Sequence, residues 1–229
     1  MAIDYNKRPS ADPPAQGGVS GGVSLSKVTL TKADPSVSLT KRGAVGGQLR
    51  VNLQWSTGAP QKKGLFGRLS AAGSGAIDLD LACLWEFSDG SKGVVQALGN
   101  AFQAPYRGAP IIRLDGDDRS GSSAGGENMF IDLARVNEIR RILVFAFIYE
   151  GVPNWASADG VVTLYPASGP EIEVRLDEAD TASPTCAIAM LENKGGELVV
   201  RREVRYIRGG QADLDRAYDW GMEWTRGRK

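Results

Sequence analysis

Apolar and polar residues alternate with a period of two along much of this chain. Leu49, Val51, Leu53 and Trp55 are separated by Arg50, Asn52 and Gln54. Val37 and Leu39 alternate with Ser36, Ser38 and Thr40, and Ile172, Val174 and Leu176 with Glu171, Glu173 and Arg175. In IDLDLACLWEF one parity is held by Ile77, Leu79, Leu81, Cys83, Trp85 and Phe87. Successive side chains of a strand point to opposite faces, so this spacing predicts half-buried strands with one wet face. The run ILVFAFIY, residues 142–149, has no polar alternation and predicts a central strand covered on both faces. Turn pairs separate the segments: Asp89-Gly90, Asp115-Gly116, Asp159-Gly160 and the Asn193–Gly196 stretch. About eleven strands are expected. Two short helices are expected as well, Leu133–Arg141 and Asp213–Trp220. The pattern therefore predicts a mainly β chain, an antiparallel β-sandwich with one or two short helices. VSLSK at 23–27 and VSLTK at 37–41 are near-copies flanking Asp34-Pro35, an arrangement that suits a hairpin.

Composition sharpens the outline. The chain has 229 residues, enough for one large domain, and is 42% hydrophobic, enough for a sizeable core. Its 29 glycines and 11 prolines favour many short elements joined by turns. Residues 1–22, with Pro9, Pro13, Pro14 and two Gly-Gly pairs, read as a flexible arm. Residues 23–229 then form a single β-sandwich domain, with an insertion loop at 56–76 that carries Lys62, Lys63 and Arg68 around Leu65-Phe66.

Charge and residue types exclude several functions. Lys+Arg and Asp+Glu are both 27, so no global basic field exists to grip nucleic acid. The absence of histidine removes the commonest general base and the commonest zinc ligand. Cys83 and Cys186 are far apart, each within an apolar run, and read as buried thiols of a reducing compartment. The longest purely apolar run is too short to span a bilayer as a helix, and no apolar leader opens the chain, so a cytoplasmic location is expected.

Carboxylates remain as the chemical equipment. Asp78 and Asp80 share one strand face, opposite Ile77, Leu79 and Leu81. Two like charges roughly 7 Å apart along a strand repel unless a positive charge or solvent lies between them. A solvated face is the plainest reading of that pair. The second acidic feature is residues 115–128, DGDDRSGSSAGGEN, a Gly-rich loop with Asp117 and Asp118 near its start and Glu127 near its end. Glycine lets backbone carbonyls turn inward, and carboxylates add hard oxygens, the needs of calcium. The acids do not follow EF-hand spacing, and no Gly-Lys-Ser/Thr closes a phosphate loop.

VSLSK and VSLTK, IDLDLACLWEF, the GDDRSG…GGEN loop before FIDL, NEIRRILVFAFIYE, Asn154-Trp155 and IEVRLDE together resemble the tellurium-resistance TerD family, the TerD- and TerA-like stress proteins. The resemblance runs from about Val23 to Trp220. It implies a cytoplasmic β-sandwich that binds calcium through the DxD strand and the acidic loop, with a role in tellurite and general stress resistance and other stress or tellurium-resistance proteins as partners. Carried over residue by residue, the implied ligands are Asp78, Asp80, Asp117, Asp118 and Glu127. Ser122, Ala124, Gly126 and Asn128 stand where the family often has acids. Fewer carboxylates predict weak calcium binding, since ligand charge tunes affinity.

The functional expectation is a non-enzymatic calcium-binding module of the stress response. The alternative is a metal-free scaffold of the same fold, working through its arm, its insertion or its C-terminal helix, where Trp220 and Trp224, with Tyr218, form a possible partner surface; closing the sandwich is the plainer reading of Trp220. An enzyme is disfavoured: a glycosidase needs opposed carboxylates, and two on one strand face do not oppose each other. Arg201, Arg202, Arg205 and Arg208 crowd the last strand, so peripheral contact with anionic lipid is a further possibility beside a solvated, aggregation-blunting edge.

Overall fold

The apolar run at 142–149 lies at the middle of a six-stranded sheet in the computed structural model of the protein, which describes residues 27–56, 78–115, 126–150 and 155–225. Strands are numbered along the chain. The six-stranded sheet runs in the order β2 (Ser36–Ser38), β13 (Glu197–Ile207), β12 (Thr185–Lys194), β9 (Ile139–Glu150), β4 (Asp78–Phe87), β5 (Lys92–Val95). A seven-stranded sheet packs on it, in the order β1 (Val28–Thr29), β11 (Ile172–Leu176), β10 (Gly160–Tyr165), β3 (Gln48–Gln54), β8 (Glu127–Asp132), β7 (Ala109–Leu114), β6 (Gln103–Tyr106). The expected mainly β, two-sheet architecture is what forms. The arm expected over 1–22 and the insertion expected over 56–76 lie outside the described residues, apart from Ser56.

Strand parity explains the layers. Ile142, Val144 and Ala146 of β9 face the seven-stranded sheet and join the main core, whereas Leu143, Phe145 and Phe147 belong to a second apolar cluster on the outer face. That outer face is covered by helix α2 (Gln211–Ala217; α1 is the single turn Trp155–Ala158) and by Trp220, so β9 is buried on both sides, as its unbroken apolar run predicts. A bulge re-aims β12: Ala187 to Ala189 spans one step on β9 and three on β13. In consequence Ile188 and Ala189 both reach the main core. The turn between β12 and β13 is Gly195-Gly196, both at positive φ (65° and 90°), as a tight primed hairpin requires. The Asn193 side chain accepts from the Gly196 N–H at 2.7 Å and fixes it.

One strand pair of the otherwise antiparallel sandwich, β1 with β11, is parallel. The hairpin expected between VSLSK and VSLTK falls on a first segment that, apart from Lys27, lies outside the described residues. Val28–Thr29 pairs with β11 while Ser36–Ser38 pairs with β13, so Asp34-Pro35 carries the chain from one sheet to the other. The helix expected at Leu133–Arg141 is a 3-10 segment, Leu133–Glu138, followed at once by β9. The Asp132 carboxylate accepts from the Ala134 N–H at 3.0 Å and starts the turn. Arg135 leaves helical geometry, and the Ile-Arg-Arg-Ile run is captured by pairing with β4 and β12. The second expected helix forms as α2, where the Asp213 carboxylate accepts from the Gly210 N–H at 3.1 Å. No helix among the described residues is long and apolar enough to cross a membrane.

Candidate functional site

The DxD pair sits at the start of β4. Leu79 and Leu81 belong to the core between the sheets, so Asp78 and Asp80 project from the opposite face, the face that carries Ala82 and Leu84. That face is not wet here. Asp78 is 7% exposed and Asp80 1%, which corrects the solvated-face reading. Asp80 pairs across the strands with Phe147, an apolar neighbour that gives a carboxylate no help. Burial of a carboxylate is costly unless hydrogen bonds or a cation compensate.

Glu127 comes to the same strand from the other sheet. It opens β8, where the pairs Leu53↔Glu127 and Asn52↔Asn128 hold it in register with β3. Its parity is that of Met129 and Ile131, both core residues, so its side chain enters the space between the sheets. There it meets β4 beyond the end of β5, whose pairing covers only Cys83–Glu86. The Leu81 N–H donates to Glu127 Oε2 at 2.5 Å, and Glu127 is 3% exposed. The C-terminal end of the acidic loop is thus fastened to the residue that follows Asp80.

A polar ladder on the outer face of the seven-stranded sheet holds the loop end from the other side. The Asn52 amide donates to the Glu127 carbonyl at 3.3 Å and to Asn128 Oδ1 at 3.0 Å. Arg50 donates to the same Asn128 oxygen at 3.2 Å while its guanidinium lies 4.1 Å from the Tyr165 ring centroid. Asn52 is 2% exposed, so alternation marked its face correctly but not its burial. Its role as a positioning residue had no sequence signal beyond an amide inside a strand. Asn128, in a place where a carboxylate was anticipated, serves as the acceptor of this ladder. Gly126 sits at φ +59°, and a Cβ there would lie 2.1 Å from the Leu53 carbonyl oxygen, so the close approach of loop to β3 requires glycine.

Of the five expected ligands, the structure brings Asp78, Asp80 and Glu127 to one end of the sandwich, while Asp117 and Asp118 lie outside the described residues. Among the described residues, no group of three acidic, thiol or imidazole side chains is arranged to hold a metal ion by itself. The donors that are described are hard carboxylate oxygens, the type that suits calcium.

Trp220 closes the sandwich, the plainer of its two readings. Trp220 is completely buried. Its Nε1–H donates to the Trp85 carbonyl at 3.1 Å, and Arg141 stacks 3.9 Å from its ring centroid. Trp224 is half-buried, its Nε1–H bound to the Asp215 carboxylate at 3.0 Å. The same carboxylate accepts from the Gly221 and Met222 N–H groups at 2.9 and 3.0 Å. These tryptophans close the outer face of the sandwich. Glu86, also buried, is held by Arg140 at 2.5 Å and Arg141 at 2.6 Å. Burial alone would raise its carboxyl, but the hydrogen bond and charge of Arg141, with Lys92 and Arg140, hold it below the ordinary range. Cys83 and Cys186 are buried free thiols, and desolvation pushes both upward, away from the reactive thiolate.

The chain is 47% identical over 207 residues to the tellurium resistance protein TerA of Alcaligenes sp, a match covering 90% of this chain and 60% of that protein. The chain therefore spans about 60% of the length of that curated relative. No protein-family model matches the chain. Among solved structures, the fold is similar to the crystal structure of a protein of unknown function, SAV2460, with a TM-score of 0.54 at 16% identity, covering 72% of this chain and 92% of that one. A homologue of the telluride resistance protein TerD, SCO6318 from Streptomyces coelicolor A3(2), aligns with a TM-score of 0.48 at 19% identity, covering 73% of this chain and 94% of that one. With 47% identity across nine-tenths of its length, the chain is similar to a tellurium resistance protein, as its motifs suggest.

Proposed function

We propose that the protein is a non-enzymatic, cytoplasmic calcium-binding module of the tellurite-resistance stress response, acting through other proteins of that response. The observation that carries the reading is the hydrogen bond from the Leu81 N–H to Glu127, which joins the acidic loop to the strand bearing the buried Asp78 and Asp80. A divalent cation would be held by carboxylates of both stretches, Asp78 and Asp80 with Asp117, Asp118 and Glu127, and it would stiffen the loop end as a surface for partners. Two further features support a role without turnover: the chain has no histidine, and both described thiols are buried and held protonated.

A second reading has its own support. Glu127 already accepts a backbone N–H, so it can serve as a structural cap on β4 without any ion. The protein would then be a metal-free scaffold of the same fold.

Calcium titration with the full chain separates the two. At a tenfold excess over Kd the ion should add about 1.4 kcal/mol of stability, which is a rise in Tm of roughly 3–6 °C for a domain of this size. Asp78→Asn, Asp80→Asn and Glu127→Gln should each reduce that rise. The absence of calcorimetric heat and of any thermal shift at millimolar calcium would leave the metal-free scaffold.

A further inference from the structure

The row of β13 residues that faces between the sheets reads Leu198, Val200, Arg202, Val204. The three apolar members belong to the main core. Arg202 occupies the same row, and its side chain is only 10% exposed. Its backbone N–H donates to the Pro35 carbonyl at 2.6 Å, which fixes its Cα. Among the described residues the ionic partner of its guanidinium is Glu178 at 4.0 Å, beyond hydrogen-bond range. That same Glu178 oxygen is engaged more closely by Lys32, at 2.9 Å. Arg175, the third cation, is turned toward Glu173 at 3.0 Å.

Arg202 opens onto a cleft of about 420 Å³ between β11 and β13, lined also by Lys32, Arg175, Asp177 and Glu178. Three cations and two carboxylates leave this lining with one net positive charge (3 − 2 = +1). A guanidinium has five N–H donors in a planar fork and cannot shed its proton. Its stem is buried while its fork faces the cleft, and among the described residues no carboxylate lies within hydrogen-bond range of it. A planar or tetrahedral oxyanion would supply acceptors two at a time. The cleft has the size of a metabolite site.

We propose that this cleft is an oxyanion site, in which Arg202 binds the carboxylate or phosphate group of a small solute. Lys32 and Arg175 flank the bound group, and Glu178 stands in its place when the cleft is empty, as an internal competitor. The site is independent of the calcium reading: it uses none of Asp78, Asp80 or Glu127.

The test is calorimetric titration of the full chain at low ionic strength, in separate arms with inorganic phosphate and with acetate. Wild type should bind at least one of them saturably, and the stronger arm identifies the group. Glu178→Gln removes the competitor and should tighten binding about tenfold, equivalent to about 1.4 kcal/mol. Arg202→Met keeps most of the apolar stem and should abolish the heat, with far-UV circular dichroism confirming the fold. If Arg202→Met does not fold, the Glu178→Gln comparison decides alone. No saturable binding of either anion by wild type and Glu178→Gln, equal affinity in those two proteins, or unchanged binding in a folded Arg202→Met protein would overturn the proposal.

Discussion

Replacing Trp220 by alanine tests whether the C-terminal segment is part of the fold or a surface held ready for partners. Trp220 has no exposed area and packs with Leu84, Leu143 and Phe145 on the outer face of the six-stranded sheet. Truncating a buried tryptophan to alanine costs about 3–5 kcal/mol. The bond from its Nε1–H to Trp85 and the stacking of Arg141 at 3.9 Å lie within that range and place the expectation near its middle, at about 4 kcal/mol. Collapse of the cavity is opposed by Asp215, which pins residues 221, 222 and 224 above it through three hydrogen bonds. For a domain of this size each kcal/mol moves Tm by roughly 2–4 °C, so the fall should be about 8–16 °C. Trp220→Phe keeps most of the apolar volume and should lose about 1–2 kcal/mol, chiefly the hydrogen bond. Urea unfolding followed by far-UV circular dichroism is the assay, because removing a tryptophan alters the fluorescence signal itself. A Trp220→Ala protein within about 1 kcal/mol of wild type would refute the reasoning, since a side chain that seals a core cannot be removed so cheaply.

Gly126→Ala should destabilise the protein by about 1–3 kcal/mol, because alanine is strained at φ +59° and its Cβ would meet the Leu53 carbonyl. Under the proposed function it should also weaken calcium uptake by pulling Glu127 away from β4, and full retention of stability would show that the loop end is not held against β3. Glu86 predicts acid sensitivity. Its carboxyl is depressed in the folded state, so its contribution to stability is present above the ordinary carboxylate range and fades as pH falls through that range toward the folded value. Urea midpoints of wild type and Glu86→Gln should therefore differ at neutral pH and converge in acid, and a gap that does not narrow would contradict the assignment.

Alternation told which residues share a face but not whether that face is wet. For β3 it separated Leu49, Val51 and Leu53 from Arg50 and Asn52 correctly, and for β9 the unbroken run revealed burial on both sides. What a period of two cannot convey is a second layer contributed from far along the chain. Asp78 and Asp80 read as solvated because nothing local says that they are covered. Leu84 and Phe145 needed α2 and Trp220, far along the chain, to make their outer face interior. Trp220 is open to two readings in sequence, an anchor for a partner or a seal on the sandwich, and the apolar face beneath it decides for the seal.

Ionic side chains inside this sandwich therefore carry more information than its apolar pattern. A domain of this kind tolerates a buried charge where a partner is supplied, as Glu86 is by two arginines. Arg202 is set in an inward row of β13 with one carboxylate at 4.0 Å, and that carboxylate is shared with Lys32. If its place in the core served stability alone, an apolar residue of similar volume would do as well or better, as buried ion pairs generally show. Stability and anion affinity of Arg202→Met consequently separate the two purposes: a variant that is as stable as wild type yet no longer binds phosphate or acetate is what a site built for a ligand requires.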